Sequence, residues 1–221
     1  MSQPAQRIGW SIWFGLLALV CLLTLALVLV QLKKPSPSSS LLQNFPIIGP
    51  VADFSLTNQN NRAISLADLR GHVWVADIIF TRCGGPCPRM TKQMKELQDA
   101  LTADSKTKLV SLTTDADFDT PPVLKKYAED FSANPDRWIF LTGAKRDVAN
   151  LAIDSLKLTA VEKKPEERTS PEDLFVHSTI FVIVDKQARL RGVFETEGEG
   201  VDWPKAKAKI LSAVRQLERE P

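Results

Sequence analysis

Two cysteines four residues apart, Cys83 and Cys87, stand in the stretch Cys83-Gly84-Gly85-Pro86-Cys87-Pro88. Thiols at that spacing support two chemistries. They can hold a soft metal ion together, or they can close into a small disulfide, because positions i and i+4 at a helix start lie within the Cα separation a disulfide tolerates. So small a ring adds little chain-entropy stabilisation, which makes a purely structural cross-link the weaker reading and redox or metal chemistry the stronger one. The motif is CxxxC, not the CxxC of dithiol reductases and zinc ribbons. Imidazole ligands are limited to His72 and His177. Met90 and Met94 offer thioethers, but their helical spacing with Leu97 reads as a core face. Asp115 and Asp119 lie where a turn or helix cap is expected, and they read equally as groups around the site.

The flanking elements set these residues in place. Val73–Phe80 is an almost continuous apolar run, the pattern of a buried central strand. After the cysteine loop, Pro88 suits the first helical position, and Met90, Met94, Leu97 and Leu101 recur at helical spacing. Both sulfurs then sit near the positive end of a helix dipole, with Arg82, Arg89 and Lys92 close in sequence, and both features favour the thiolate. Upstream, Asp53–Thr57 and Arg62–Ser65 read as a hairpin. Ser65 and Asp68 form a capping-box pattern ended by Gly71. Downstream, strands are expected at Lys108–Thr114 and Trp138–Thr142, with helices opening at Thr120-Pro121 and running from Lys145 to Leu156. Thr159–Asp173 is polar and charged and reads as an exposed insertion. Ser178–Val184 and Arg189–Phe194 read as a second hairpin, and Asp202-Trp203-Pro204 starts a final helix. The order predicts an α/β sandwich with a mixed sheet. The cysteines then lie at the carboxyl end of its first core strand, where open α/β sheets place their chemistry.

Composition excludes several classes. With 28 lysines and arginines against 26 acids, well mixed and without a basic, aromatic-laced stripe, nucleic acid is not an expected partner. Three cysteines do not make a disulfide-rich scaffold. Ile8–Leu32 is 25 residues without a charge, long enough to span a bilayer core, and Trp10 and Trp13 suit an interfacial belt. The run is too long for a typical signal-peptide core and ends in no small-residue cleavage site. Cys21, preceded by Ala18-Leu19-Val20, does not resemble a lipid-attachment cysteine. Lys33–Pro46 is a Ser/Pro-rich tether. The expected organisation is a tail at 1–7, a transmembrane anchor at 8–32, a linker at 33–46 and one domain at 47–221. Arg7 on one side and Lys33 and Lys34 on the other leave the orientation undecided by charge.

The chain resembles the Sco/SenC family of thioredoxin-fold copper proteins. The resemblance rests on Phe54-Ser55-Leu56-Thr57, Val73-Trp74-Val75-Ala76-Asp77 and the stretch from Phe80 to Met90 that contains the CxxxC-Pro motif. It extends to Asp119-Thr120-Pro121, Arg137-Trp138, Phe140-Leu141-Thr142-Gly143 and His177-Ser178-Thr179. Ala116 follows Asp115 where many members have proline. The resemblance implies a thioredoxin-like fold with an added N-terminal hairpin, and copper held by Cys83, Cys87 and His177. It also implies a role in building the dinuclear copper site (CuA) of cytochrome c oxidase. The oxidase subunit carrying that site is the implied partner, with another copper chaperone or a thiol reductase as further partners. The soluble domain would lie outside the cytoplasm, on the periplasmic side of a bacterial inner membrane.

A lone histidine is usually structural or a surface residue. In a thioredoxin-like fold, however, the residue before Ser178–Val184 faces the cysteine loop, where thioredoxins carry a cis-proline, and two thiols in reach make His177 the natural third ligand. Two thiolates and an imidazole suit Cu(I), and Cu(II) fits if water or a carboxylate adds a ligand, whereas zinc normally takes a fourth protein ligand. The competing reading is a thiol–disulfide reductase that uses Cys83 and Cys87 as a redox pair and keeps the oxidase cysteines reduced.

Overall fold

The computed structural model describes Trp13, residues 15–25 and residues 45–221. Residues 15–25 are helical and expose Leu16, Leu17, Leu19, Leu22 and Leu23. Among the described residues no helix is long and apolar enough to cross a membrane. Most of the expected anchor at 8–32, and the linker up to residue 44, lie outside the described residues.

From Asn44 onward the chain forms one unit around an eight-stranded sheet in the order β1-β10-β9-β4-β5-β6-β2-β3. Its centre is β4 (Trp74–Ile79), β5 (Lys108–Thr113) and β6 (Trp138–Thr142), all parallel. The N-terminal hairpin, β2 (Ser55–Asn58) and β3 (Ala63–Ser65), adds antiparallel to β6. On the other side β9 (Ile180–Val184) runs antiparallel to β4, followed by β10 (Arg189–Glu195) and the short β1 (Gly49–Pro50). The mixed α/β sandwich is thus as expected.

All six residues of β4 are buried, as a strand covered on both faces requires. Its side chains alternate between the two halves of the core. Val75 and Ile79 face α2 (Cys87–Ala100), α3 (Pro121–Asp130) and α5 (Trp203–Arg219). Trp74, Ala76 and Ile78 face the half that holds α1 (Leu66–Leu69) and α4 (Lys145–Ala149). The capping box at α1 forms, with the Ser65 amide donating to Asp68 at 2.7 Å, and Gly71 takes a φ of 81°. Asp202 caps α5 by accepting from the Lys205 amide.

Three expectations need correction, and one is extended. Helix α2 begins at Cys87, so Pro88 is its second residue and the second thiol belongs to the helix itself. The helix expected over Lys145–Leu156 is α-helical only to Ala149 and widens into a π-helical stretch at Asn150–Ser155. The insertion expected to be exposed over Thr159–Asp173 is exposed, and it also forms a hairpin that the sequence did not suggest: β7 (Ala160–Glu162) pairs antiparallel with β8 (Phe175–His177) around a 3-10 turn at Pro165–Glu167. Local polar contacts hold this hairpin. Lys163 Nζ bonds the Asp173 carboxylate at 2.7 Å, Arg168 donates to the Lys163 carbonyl, and Leu174 anchors it in the core. Finally, His177 ends β8 instead of directly preceding β9, which starts at Ile180.

Candidate metal centre

Strand β4 delivers the chain to a loop at its carboxyl end, and that loop carries Cys83 just before α2 brings in Cys87. The β7–β8 hairpin reaches over the loop and supplies His177. Cys83 Sγ, Cys87 Sγ and a ring nitrogen of His177 all lie within 4.8 Å of one another. Cys87 Sγ is 3.2 Å from His177 Nε2, and both thiols are unbridged. Aromatic packing fixes the imidazole: the Phe80 ring meets it edge-on at 5.8 Å and also packs on Phe175 at 5.2 Å. His177 Nδ1 lies 3.3 Å from the Ser178 carbonyl. With the proton on Nδ1, Nε2 presents its lone pair to the sulfurs.

The two sulfurs differ in environment. Cys87 is fully buried, and Cys83 is 9% exposed. The Cys87 thiol beside it stabilises the Cys83 thiolate, and His177 and the Gly85 amide, 3.3 Å from its sulfur, add to that effect. These outweigh burial and bring its pKa down to about 4. Burial first, and then the neighbouring Cys83, push Cys87 far up. The pair therefore holds one thiolate and one thiol, coupled so that the second proton is much harder to remove. A cavity of about 430 Å³ opens onto Cys83, Gly85, Pro86 and His177, and the fully buried Cys87 is not part of its lining.

A network from the β5–α3 loop positions the cysteine loop. Asp119, fully buried, accepts from the Thr81 amide at 3.0 Å and from the Thr81 and Thr113 hydroxyls. Thr120, at the N-cap of α3, makes no side-chain cap bond, and Asp119 beside it commits its carboxylate to Thr81 and Thr113 rather than to the helix. Asp119 instead ties the end of β4 to the end of β5, two residues before Cys83. Asp115 accepts from Arg82 Nε at 2.7 Å, and the Arg82 guanidinium lies 4.3 Å over the Phe118 ring. Both aspartates thus sit around the site.

The other candidates stay apart from it. Met90 and Met94 are fully buried in the core. His72 is at the opposite end of the sheet, bonded through Nδ1 to the Lys106 carbonyl. One residue gained no role from sequence reasoning. Asp77 lies on β4, completely buried, and among the described residues neither of its carboxylate oxygens has a hydrogen-bond partner. The signal was a single acid inside an apolar strand.

The SCO1/SenC family model matches residues 49–213. The SCO1 protein homolog of Bacillus subtilis (strain 168) is 36% identical over 147 residues, 66% of this chain and 73% of that protein. Among solved structures, BsSco is 31% identical with a TM-score of 0.66, over 81% of this chain and 100% of that one; it is described as carrying a disulfide switch and as a member of the Sco family of cytochrome c oxidase assembly proteins. ScoI of Bradyrhizobium japonicum, solved with copper bound, shares the fold at 22% identity and a TM-score of 0.61, over 77% of this chain and 99% of that one. The expected thioredoxin-like Sco architecture is therefore present, and the chain belongs to the SCO1/SenC family.

Proposed function

We propose that this protein is a membrane-anchored copper metallochaperone that holds one copper ion through Cys83, Cys87 and His177 and passes it to the CuA-bearing subunit of cytochrome c oxidase. The observation that carries this reading is the convergence of two sulfurs and one imidazole nitrogen within 4.8 Å, at the mouth of a cavity. Two thiolates with one imidazole are a soft set suited to Cu(I), and a closed zinc site normally has a fourth protein ligand. Copper would arrive as cargo. Cys83 offers a ready thiolate, Cys87 must lose its proton, and His177 is held with a nitrogen facing both. A three-ligand site with an open side lets an incoming thiol remove the ion by ligand exchange.

The apolar, exposed helical residues 15–25 support an anchor over 8–32, and 33–46 would tether the domain at 47–221 outside the cytoplasm. A second reading, a thiol–disulfide reductase that keeps the oxidase cysteines reduced, is favoured by the unequal thiols, one a thiolate and one a buried thiol. His177 separates the two readings, because a dithiol reductase has no need of it. Metal analysis of the anaerobically purified domain from Pro46 onward tests the proposal. One copper per domain is expected, and a domain that takes up no copper but reduces disulfides moves the second reading ahead.

A further inference from the structure

Strand β4 carries one ionisable residue in an otherwise apolar run, and among the described residues its carboxylate has no hydrogen-bond partner. Asp77 follows the alternation that points Val75 and Ile79 toward α2, so it lies on the same side of the sheet as Cys87. Ser111 sits opposite it in the β4–β5 register; its Oγ accepts from Trp138 Nε1 at 3.0 Å, and its hydroxyl, though outside hydrogen-bonding distance of the carboxylate, still tempers the rise in its pKa. The titratable groups that share its field are His177, Cys87 and Tyr127, with Cys83 next beyond Cys87. Tyr127, on α3, stays neutral, since burial pushes its hydroxyl up and it is bonded to Thr91. Phe181 and Ile183 of β9 and Ile210 and Val214 of α5 bring only apolar side chains to this half of the core. Among the described residues His177 is the one group whose charge lowers the pKa of the carboxyl, and as a copper ligand it would be neutral.

Buried charges are ordinarily paired or bound to metal. The one positive charge this pocket is built to receive is the copper ion. We propose that Asp77, without touching the ion, is the internal counter-charge of the copper site and sets its preference between Cu(II) and Cu(I). This rests on the copper reading above. With Asp77 ionised, the more positive Cu(II) gains more than Cu(I) does, and the copper is harder to reduce. With Asp77 protonated the bias disappears. Reduction by a one-electron donor then takes up an electron at copper and, over the pH range where Asp77 titrates between the two states, a proton at the Asp77 carboxylate. No bond to copper forms or breaks in that step. Burial supports the assignment by holding the metal-free Asp77 carboxyl up at about 7, within the range where such a switch operates.

The test is a mediated potentiometric titration of the copper-loaded protein between pH 5.5 and 8.5 for wild type and Asp77→Asn. The wild-type potential should fall as pH rises. The variant should show a higher, pH-independent potential, with its Cu(II)-over-Cu(I) preference reduced at least tenfold at pH 8, about 59 mV for one electron. Should the variant not fold, wild type alone decides: infrared difference spectra at pH 7 should show the protonated carboxyl band of Asp77 growing as copper is reduced. Equal potentials in the two proteins, or a flat wild-type potential with no carboxyl band, overturn the proposal while leaving copper binding intact. Failure of the wild type to retain copper overturns the underlying copper reading instead.

Discussion

Replacing Asp77 by asparagine should change how the metal-free domain responds to pH, and the size of the effect follows from burial. Asp77 is completely enclosed, its oxygens make no hydrogen bonds, and its pKa rises from 3.8 to about 7. In the unfolded chain the carboxyl ionises near 4, while the folded protein keeps the proton until about pH 7. The folded state therefore binds more protons across that window, and stability falls as pH rises through it. Below about pH 4 there is no penalty, and above about pH 7 it is constant. At about 1.4 kcal/mol per pKa unit, the full penalty is roughly 4 kcal/mol, of which roughly 3 kcal/mol accrues between pH 5 and pH 8. For a domain of this size that corresponds to about 5–10 °C in Tm. Groups titrating in both proteins cancel in the difference. The assay is a thermal melt of metal-free, fully reduced wild type and Asp77→Asn at several pH values. The variant should gain on the wild type steadily from pH 5 to pH 7 and keep a constant lead above that. Its buried amide also lacks partners, which offsets the lead by about 1–3 kcal/mol without altering its pH dependence. Parallel curves from pH 5 to pH 8 would refute the reasoning, since they would mean that Asp77 ionises in the folded protein as easily as in the unfolded one.

Three further outcomes follow from the site. Asp119→Ala leaves the Thr81 amide and the Thr81 and Thr113 hydroxyls without their acceptor, so it should cost about 3 kcal/mol in chemical denaturation; a loss below about 1 kcal/mol would show that the clamp on the cysteine loop is not structural. Cys83 should react with iodoacetamide at a rate nearly independent of pH from 6 to 8 and ahead of Cys87, because it is already a thiolate; a rate that climbs tenfold per pH unit would contradict the lowered pKa. Copper and the Cys83–Cys87 disulfide should exclude each other, so Cu(I) at a thousandfold excess over its Kd should stabilise the reduced domain by about 4 kcal/mol and the oxidised domain not at all. A Tm rise that persists in the verified disulfide form would place the metal elsewhere.

The sequence was most legible where one residue pattern had one structural solution. The apolar run Val73–Phe80 admits only a strand covered on both faces, and the helical spacing of Met90, Met94 and Leu97 fixes the face that α2 buries. Those two elements bring Cys83 and Cys87 together without reference to anything distant. His177 was harder, because its place depends on a pairing that composition conceals. Residues 159–173 are charged and carry Pro165, yet they fold into β7 and its turn because Lys163–Asp173 and Arg168 stitch the hairpin and Leu174 anchors it. The same ion pair holds the Asp173 carboxyl well below its usual range, with the Thr169 amide and hydroxyl adding to it. Asp115 and Asp119 were legible only as loop acids. Their partners Arg82, Thr81 and Thr113 come from neighbouring strand ends, a relation set by parallel pairing of β4 and β5 and not by local spacing. Asp77 was visible as an anomaly, an acid in a buried strand, but its lack of any partner emerges only from three-dimensional packing.

The central claim, that Cys83, Cys87 and His177 together hold copper, is tested most directly by X-ray absorption on the Cu(I)-loaded domain and on His177→Ala. Two sulfurs and one nitrogen are expected around copper in the wild type, with loss of the nitrogen and weaker binding in the variant. An unchanged ligand set and affinity in His177→Ala would contradict the account.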